Sequence, residues 1–316
     1  MYACGRHAID ALVEAEGWKR IWVPAYFCYE VIAHIKATGI EVSLYDDNPL
    51  REDDDVLVRS LNYREGDVLL RMNYFGIREL RTNKGIPVPV IEDHTHDLTS
   101  QWALKSDADY CIASIRKSLP VAAGGILWSP KGLPLPNNIE STEECETMAG
   151  IRYEGMRMKR EYLLQMNVDK DAFRKKYLTS EKLIEELKLS GMDKESNTIA
   201  CNLNIGLWSE IRADNLRIAY EQLRHKFTIL KPSVSDYWQN PFSLILLCKN
   251  AEERTALRAH IIKNMIYPAI LWQMPVDTEF KRALDFSQRM LSVHVDARYN
   301  RNDILELCNR ISQFNA

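Results

Sequence analysis

The chain has 316 residues, which is long enough for two domains or for one large domain with a substantial core. Hydrophobic residues make up 46% of it and charged residues 27%, as in an ordinary globular protein. Lys and Arg are spread along the chain, and a net charge of −3 gives no reason to expect nucleic acid as a partner. No apolar run reaches the ~20 residues of a membrane span and no leader pattern opens the chain. We therefore expect a cytoplasmic protein without membrane contact.

Short apolar runs alternate with helical patterns in the first half of the chain. Strands are predicted at residues 20–24, 40–45, 67–73, 86–91, 110–113 and 125–128, and helices at 9–16 and 30–37. Such βα units predict an α/β fold with a mostly parallel sheet. Residues 135–188 are helical in pattern, and 187–196 have the composition of a linker. Further strands at 243–248 and 289–295 among helices predict a large domain over 1–195 and a small α+β domain over 196–316.

The first helical pattern begins directly after a small-residue turn. Gly5, Arg6 and His7 stand at this point of the chain. The first N–H groups of a helix are unpaired and the helix dipole is positive there, so the turn is a candidate anion site. A plain helix start explains the same residues, and the turn alone does not decide between the two.

Ser114 and Lys117 follow a predicted buried strand at residues 110–113. In open α/β sheets, ligands bind and reactive side chains lie at the carboxyl ends of the strands. Lys117 is therefore a candidate reactive amine. The alternative is that Arg116 and Lys117 form a solvated basic pair on a loop.

Two carboxylates and two imidazoles, Glu92, Asp93, His94 and His96, follow another predicted strand. Three hypotheses remain for this cluster: a metal site, a helix N-cap formed by Asp93, or a carboxylate that faces a cationic heterocycle. The chain offers no obvious complementary ligand set for a metal. Its seven scattered cysteines have no C-x-x-C spacing, so we predict reduced thiols and neither a zinc site nor disulfides.

Two further strand ends carry candidate ligand-binding side chains. Tyr26, Phe27 and Tyr29 follow the strand at 20–24, where an aromatic ring can cover a planar ligand. Packing in the core or at its rim explains these aromatic residues equally. Asn73 places a polar side chain at the end of the strand at 67–73.

Taken together, these markers resemble a known family. They are Gly5-Arg6, residues 23–26, residues 73–76, residues 91–96 with Asp93 and His96, residues 113–117 with Gly124-Gly125, and residues 291–299. In this order and spacing they resemble the DegT/DnrJ/EryC1/StrS aminotransferases, which use pyridoxal 5′-phosphate (PLP) and mostly act on nucleotide-linked keto sugars. The resemblance covers nearly the whole chain. It implies the aspartate aminotransferase fold, a three-layer large domain with a small C-terminal domain, and a homodimer with a shared active site.

The resemblance implies roles for three catalytic residues. Lys117 would form the Schiff base with the cofactor aldehyde and, once released, would move the proton between the donor's Cα and C4′ of the cofactor. Asp93 would keep the pyridine nitrogen protonated, which makes the ring an electron sink. His96 falls where the family places Gln or His, near the ring and its 3′-oxygen.

The resemblance also implies a set of cofactor-binding residues. The turn at Gly5, Arg6 and His7 would hold the phosphate through backbone N–H groups, with Arg6 where the family has Thr. Ser114 would be a further phosphate ligand. The position that covers the ring falls on Cys28, so Tyr26 or Phe27 is the candidate for that contact. The set is Gly5, Arg6, His7, Tyr26, Phe27, Cys28, Asn73, Asp93, His96, Ser114 and Lys117.

The predicted function is transfer of an amino group, from glutamate, to a nucleotide-linked keto sugar for a polysaccharide or glycoconjugate. Family members usually carry a further segment before the glycine turn, whereas four residues precede Gly5 here. We expect this to open the pocket or to alter the partner surface. Alternatives are a PLP-dependent sugar dehydratase, some of which have His in place of Lys117, and a family member kept for binding without turnover. A Rossmann-type nucleotide binder would need a G-x-G-x-x-G turn that is missing from the sequence.

Overall fold

The computed structural model describes residues 1–231 and 242–315. The described helices are, in chain order, α1 (Gly5–Glu16), α2 (Tyr29–Ala37), α3 (Asp54–Arg59), α4 (Gln101–Leu104), α5 (Glu143–Leu163), α6 (Lys170–Glu186), α7 (Lys194–Asn202), α8 (Ile205–Leu223), α9 (Ala251–Lys263), α10 (Lys281–Arg289) and α11 (Arg301–Ser312). The described strands are β1 (Arg20–Pro24), β2 (Glu41–Tyr45), β3 (Asp67–Met72), β4 (Val90–Asp93), β5 (Tyr110–Ala113), β6 (Ile126–Trp128), β7 (Thr228–Ile229), β8 (Leu244–Leu247) and β9 (Met290–Val293). Two compact units make up the chain, residues 18–109 with 204–316 and residues 1–17 with 110–203. No described helix combines the length and the apolar character that crossing a membrane requires.

A parallel sheet with the order β2-β1-β3-β4 forms the first part of the unit 18–109 with 204–316. Every residue of β3 and β4 is buried, as expected for parallel strands. The prediction of an α/β fold with a mostly parallel sheet is confirmed. Strand β4 begins at Val90 and not at residue 86, because Pro87 and Pro89 lack the N–H that a strand ladder requires.

The C-terminal part of the same unit has its own antiparallel sheet, β7-β8-β9. Its buried side chains form one core with residues of α8, α9 and α11. The sequence patterns missed α10, in which charged and polar residues outnumber the buried Ala283, Leu284 and Phe286. The boundary between a large domain over 1–195 and a small domain over 196–316 stays a prediction. Of that small domain, residues 232–241 and 316 lie outside the described residues.

In the unit 1–17 with 110–203, β5 has the predicted bounds, but β6 differs from its prediction. Strand β6 runs antiparallel to β5 and is half-buried, whereas a second buried parallel strand was expected. A parallel neighbour requires a long crossover, usually helical, and only a 3₁₀ turn at Ile115–Lys117 and a loop connect the two strands.

The predicted linker at 187–196 is a packed part of this unit. Ser190, Met192 and Asp193 are buried. The carbonyl of Ser190 accepts from the N–H of Ala3, and its hydroxyl accepts from the N–H of Thr142. The linker prediction was therefore wrong. A polar composition indicates a loop, but it does not show whether that loop is exposed or buried.

Candidate active site

Asp93 and Asn73 lie side by side at the carboxyl ends of β4 and β3. The N–H of Asn73 donates to the carbonyl of Asp93 at 2.9 Å, one step beyond the pairing of Met72 with Asp93. Asp93 is 8% exposed, and its Oδ1 accepts from the N–H of Thr95 at 2.8 Å. The N-cap hypothesis for Asp93 was wrong, because the next helix, α4, begins later and has Ser100 as its cap. A local turn thus orients the Asp93 carboxylate.

The side chain of Asn73 contacts different groups from those that the Asp93 carboxylate contacts. Its Nδ2 lies 3.3 Å from Nδ1 of His94 and donates to Oγ of Ser100 at 3.0 Å. Its Oδ1 is buried and has no hydrogen-bond partner among the described residues. Asn73 therefore serves a buried polar network with its amide nitrogen, and its place among the cofactor-binding residues stays a prediction.

Glu92 and His94 form the rest of that network. Oε1 of Glu92 accepts from Nδ2 of Asn83 at 2.7 Å, and Oε2 accepts from Oγ of Ser106 at 2.6 Å and lies 3.1 Å from Nε2 of His94. Burial raises the pKa of Glu92, but these hydrogen bonds and the His94 charge outweigh it and leave that pKa below its usual value. Alternation along β4 separates Glu92 from Asp93, since successive side chains point to opposite faces of a strand.

His96 is buried in a box of three aromatic rings, Phe75, Phe242 and Trp272. The ring centroids lie 5.1, 4.6 and 5.2 Å from that of His96, and the planes of Phe75 and Trp272 are tilted by only 7° and 16° from the imidazole. The backbone N–H of Phe75 donates to Nδ1 of His96 at 3.1 Å. His96 was predicted as a site residue from the sequence, whereas these three aromatic residues were not predicted to surround it.

Phe75 adopts a left-handed backbone conformation, with φ 54° and ψ 7°. This conformation costs a bulky L-residue roughly 1–2 kcal/mol. Such strain persists only where surrounding contacts hold it, and it concentrates at functional sites. The Phe75 ring is fully buried, and its carbonyl accepts from the N–H of Phe242 at 2.9 Å.

Tyr26 and Phe27 are buried against Trp272, with ring centroids 5.7 and 5.8 Å away. The Tyr26 hydroxyl donates to the carbonyl of Leu271, and burial raises the pKa of this phenol well above its usual value. Cys28 is the buried N-cap residue of α2. These contacts account for both rings as packing residues, so their role as cover for a cofactor stays a prediction.

In the unit 1–17 with 110–203, the start of α1 lies against Ser114. A Cβ atom added to Gly5 would stand 3.2 Å from Cβ of Ser114, and one added to Gly125 would stand 2.1 Å from the carbonyl oxygen of Cys4. Tyr2 and Gly125 exchange two backbone hydrogen bonds of 2.7 and 2.6 Å. Only glycine at 125 permits this close approach to Cys4, and glycine at 5 keeps the helix start in close contact with Ser114.

The side chains of Arg6 and His7 point to the end of α6 and the segment after it. Arg6 donates to the carbonyl of Ile184 at 3.0 Å, and Nε2 of His7 lies 3.1 Å from the carbonyl oxygen of Leu187. A hydrogen bond and the positive charge of His7 outweigh burial and lower the pKa of Cys4 to about 6, while the same pairing raises the pKa of His7. Backbone N–H groups are thus the part of residues 5–7 that suits an anion. The side chain of the N-cap residue Cys4 makes no capping hydrogen bond.

Lys117 ends the 3₁₀ turn that follows β5, as the sequence predicted. Its N–H donates to the carbonyl of Ser114 at 3.2 Å, and its side chain is exposed. Arg116 forms an ion pair with Glu181 at 3.2 Å. The Arg116 side chain is therefore tied to α6, and Lys117 is the last residue of the turn beside Ser114.

Comparison with solved structures finds this fold in several aminotransferases. Spr1654 of Streptococcus pneumoniae, assigned as a sugar aminotransferase and solved in its PMP form, gives a TM-score of 0.67 at 14% identity over 98% of this chain and 86% of that one. A DegT/DnrJ/EryC1/StrS aminotransferase of Brucella abortus gives 0.61 at 13% identity over 98% and 84%. DesV of S. venezuelae, solved with a ketimine intermediate, gives 0.63 at 14% identity over 100% and 85%. The sequence matches no protein family and no curated protein.

These comparisons confirm the predicted PLP-transferase fold of the aspartate aminotransferase type. The resemblance seen in the sequence motifs thus extends to the three-dimensional structure over nearly the whole chain. At these identities the similarity establishes the fold, and function must be argued from the site.

Proposed function

We propose that this protein is a PLP-dependent aminotransferase of the DegT/DnrJ/EryC1/StrS type. The observation that carries the proposal is the position of Lys117, one 3₁₀ turn beyond the carboxyl end of β5 in a chain with the aspartate aminotransferase fold. A primary amine is the nucleophile that Schiff-base chemistry requires. Asp93, at the carboxyl end of β4, supplies the carboxylate that PLP chemistry also requires.

The residues present fit PLP in two respects. The uncapped start of α1, with Ser114 against Gly5, offers backbone N–H groups and a hydroxyl to a phosphate. The buried Asp93 carboxylate, at the carboxyl end of β4, suits a protonated ring nitrogen, because a hydrogen bond between two charged groups is stronger than one between neutral groups. When bound, PLP supplies an aldehyde that captures amines and a conjugated ring that accepts negative charge.

Within this proposal, the protein's own residues bind, orient and move protons. Lys117 would bind the cofactor through its amine and would move a proton between Cα of the donor and C4′. Asp93 would hold a proton on the pyridine nitrogen, and the Thr95 N–H fixes the orientation of its carboxylate. Ser114 and the N–H groups of residues 5–7 would bind the phosphate.

The substrate and the assembly belong to the same proposal. We infer a nucleotide-linked keto sugar as acceptor and glutamate as donor, for a polysaccharide or glycoconjugate. The support is the motif resemblance and the sugar aminotransferase assignment of Spr1654. We further propose a cytoplasmic homodimer with a shared active site, as the family resemblance implies.

The test begins with an absorbance spectrum of the purified protein with added PLP, before and after borohydride reduction. We expect a visible band that reduction removes, and a reduced pyridoxyl adduct on the peptide that carries Lys117. Lys117→Ala should lose both signals and keep the circular dichroism of the wild type, and Arg116→Ala is the matched control that should keep both. Unfolding of Lys117→Ala, or an adduct elsewhere, would contradict the assignment. A wild type with neither band nor adduct would favour a binding protein without turnover.

A further inference from the structure

We infer that Phe75 is a positioning residue for His96: its backbone N–H fixes the imidazole as the tautomer with the proton on Nε2. His96 is then a hydrogen-bond donor at Nε2 and not a base. The functional meaning of this inference rests on the proposed function, whereas the tautomer itself is a property of the protein alone.

The hydrogen bond defines the protonation of Nδ1. A backbone amide nitrogen carries one hydrogen and can only donate, so its direction does not depend on how a side-chain amide was oriented. Nδ1 of His96 therefore accepts at 3.1 Å and carries no proton. A neutral imidazole with an unprotonated Nδ1 has its proton on Nε2, and an imidazolium would break the contact.

The backbone of Phe75 explains why its N–H is available for this contact. The N–H of Asn73 is the last that β3 donates to Asp93 of β4. The left-handed conformation at Phe75 then turns the chain away from the sheet, and the Phe242 N–H holds the Phe75 carbonyl at 2.9 Å. Backbone hydrogen bonds thus fix the chain at Asn73 before Phe75 and at the Phe75 carbonyl. The left-handed conformation between them directs the Phe75 N–H at His96.

The aromatic box holds the plane of the imidazole. Phe75 and Trp272 lie almost parallel to His96, at 7° and 16°, so a rotated ring would meet their faces edge on. His96 is only 1% exposed, which keeps water from competing for Nδ1. Hydrogen bond and rings together select one tautomer in one orientation.

This tautomer gives His96 and Lys117 different roles in the proposed function. The Nε2–H of His96 suits a ligand oxygen that bears negative charge, because hydrogen bonds to charged acceptors are the stronger ones. A proton taken up at Nδ1 would break the hydrogen bond from the Phe75 N–H, so this geometry does not suit His96 to act as a base. The proton step at Cα and C4′ is therefore left to Lys117.

The direct test is ¹⁵N NMR of the deuterated, cofactor-free protein labelled at His and Phe. We expect the shifts of His96, assigned with His96→Gln, to show an unprotonated Nδ1 and a protonated Nε2 between pH 6 and 8. We also expect a coupling through the hydrogen bond from the Phe75 amide nitrogen to Nδ1. A protonated Nδ1, an imidazolium, or no such coupling would overturn the inference. Because no cofactor is present, failure of PLP binding by Lys117 leaves this result unaffected.

A pair of variants isolates the backbone conformation from the ring. Phe75→Asn and Phe75→Val both remove the ring, but Asn tolerates the left-handed region and a β-branched residue does not. We expect Asn to keep the coupling and the tautomer, and Val to lose the coupling and to populate the form protonated at Nδ1. Phe242→Leu, which removes a ring but no donor to His96, should keep both signals. Equal behaviour of the Asn and Val variants, each shown to be folded by its amide spectrum, would contradict the role of Phe75.

A second readout tests the donor role. Gln can accept from the Phe75 N–H with its oxygen and donate with its nitrogen, whereas Leu can do neither. We expect His96→Gln to keep the affinity for PLP within about threefold and His96→Leu to lose tenfold or more, measured by fluorescence titration. Equal losses in the two variants would contradict a hydrogen-bond donor at this position.

Discussion

Glu92 and Asp97 lie close together in sequence and are both buried, at 0% and 2% exposure, yet their pKa values shift in opposite directions. The pKa of Glu92 lies below its usual value, because donors from Asn83, Ser106 and His94 outweigh burial. Burial raises the pKa of Asp97 to about 6, because the two hydrogen bonds from Thr99 and the charge of Arg212 compensate incompletely. Its Oδ2 has no hydrogen-bond partner within the described part of the chain.

The comparison teaches that the number of donors, and not burial, decides whether a buried carboxylate stays charged. The hydrogen bonds around Glu92 stabilise its charged form in the interior. The charged form of Asp97 is destabilised by its burial. Asp93 lies between them on the chain, and the N–H of Thr95 donates to it. Substitutions at these three acids therefore test different things.

Glu92→Ala should give the largest loss of stability. It leaves donors of Asn83, Ser106 and His94 unsatisfied in the interior, which costs roughly 3–5 kcal/mol of the free energy of unfolding. Glu92→Gln keeps the volume, but its one oxygen cannot replace both carboxylate oxygens, so its amide nitrogen faces either Asn83 or the Ser106 and His94 pair, and we expect a loss of about 2 kcal/mol. Urea unfolding at pH 7 measures both. The wild-type contribution is present above the unfolded pKa of 4.5 and should disappear as the pH falls through the lower folded pKa. If Glu92→Ala lowered the free energy of unfolding by less than about 1 kcal/mol, the stabilising role of these hydrogen bonds would be refuted.

Asp97→Asn should stabilise the protein, and only at higher pH. The folded pKa of about 6 lies above the ordinary value of 3.8, so ionisation of Asp97 destabilises the fold increasingly between these values and fully above pH 6. Asn stays neutral and keeps an oxygen for Thr99. We expect a gain of about 2 kcal/mol at pH 8 and little at pH 4, from thermal or urea unfolding. Thr99→Val, which removes one donor to Asp97, should change stability in the opposite direction. A gain independent of pH would contradict a charged Asp97 as its cause.

Asp93→Asn should have the smallest effect on stability and a severe effect on turnover. The oxygen of Asn still accepts from the N–H of Thr95, so the free energy of unfolding should change by less than about 1 kcal/mol. In the proposed enzyme the ring nitrogen would no longer stay protonated, so half-transamination should be suppressed severely while borohydride still traps the cofactor on Lys117. Stopped-flow absorbance with glutamate measures the rate. Unchanged turnover would remove Asp93 from its role.

Several elements could be predicted because their signals are local. Strands β1 and β5 have the predicted bounds, since β5 is a continuous buried run and β1 is buried at every residue except the half-buried Trp22. Lys117 and Asp93 were found at strand ends for the same reason. The start of β4 was misplaced because two prolines interrupt an otherwise apolar run, and the direction of β6 depends on its connection and not on its composition.

The surroundings of the candidate site could not be predicted in this way. Trp272 and Phe242 contact His96 from distant parts of the sequence, and no periodicity links them to residue 96. Phe75 belonged to a recognised motif, but a left-handed conformation at Phe has no sequence signature. Asn73 was correctly placed at a strand end, yet the direction of its side chain depends on His94 and Ser100.

The contact between the Tyr26 hydroxyl and the carbonyl of Leu271 joins residues 245 positions apart. A ribosome adds ~5–20 residues per second, so Tyr26 waits on the order of ten seconds or more for its partner segment to be synthesised. During that time the rings of Tyr26 and Phe27 lack their contact with Trp272. All residues of β1 to β5 are synthesised before Trp272. Chaperone occupancy of the nascent chain should therefore be highest before the segment around Trp272 leaves the ribosome.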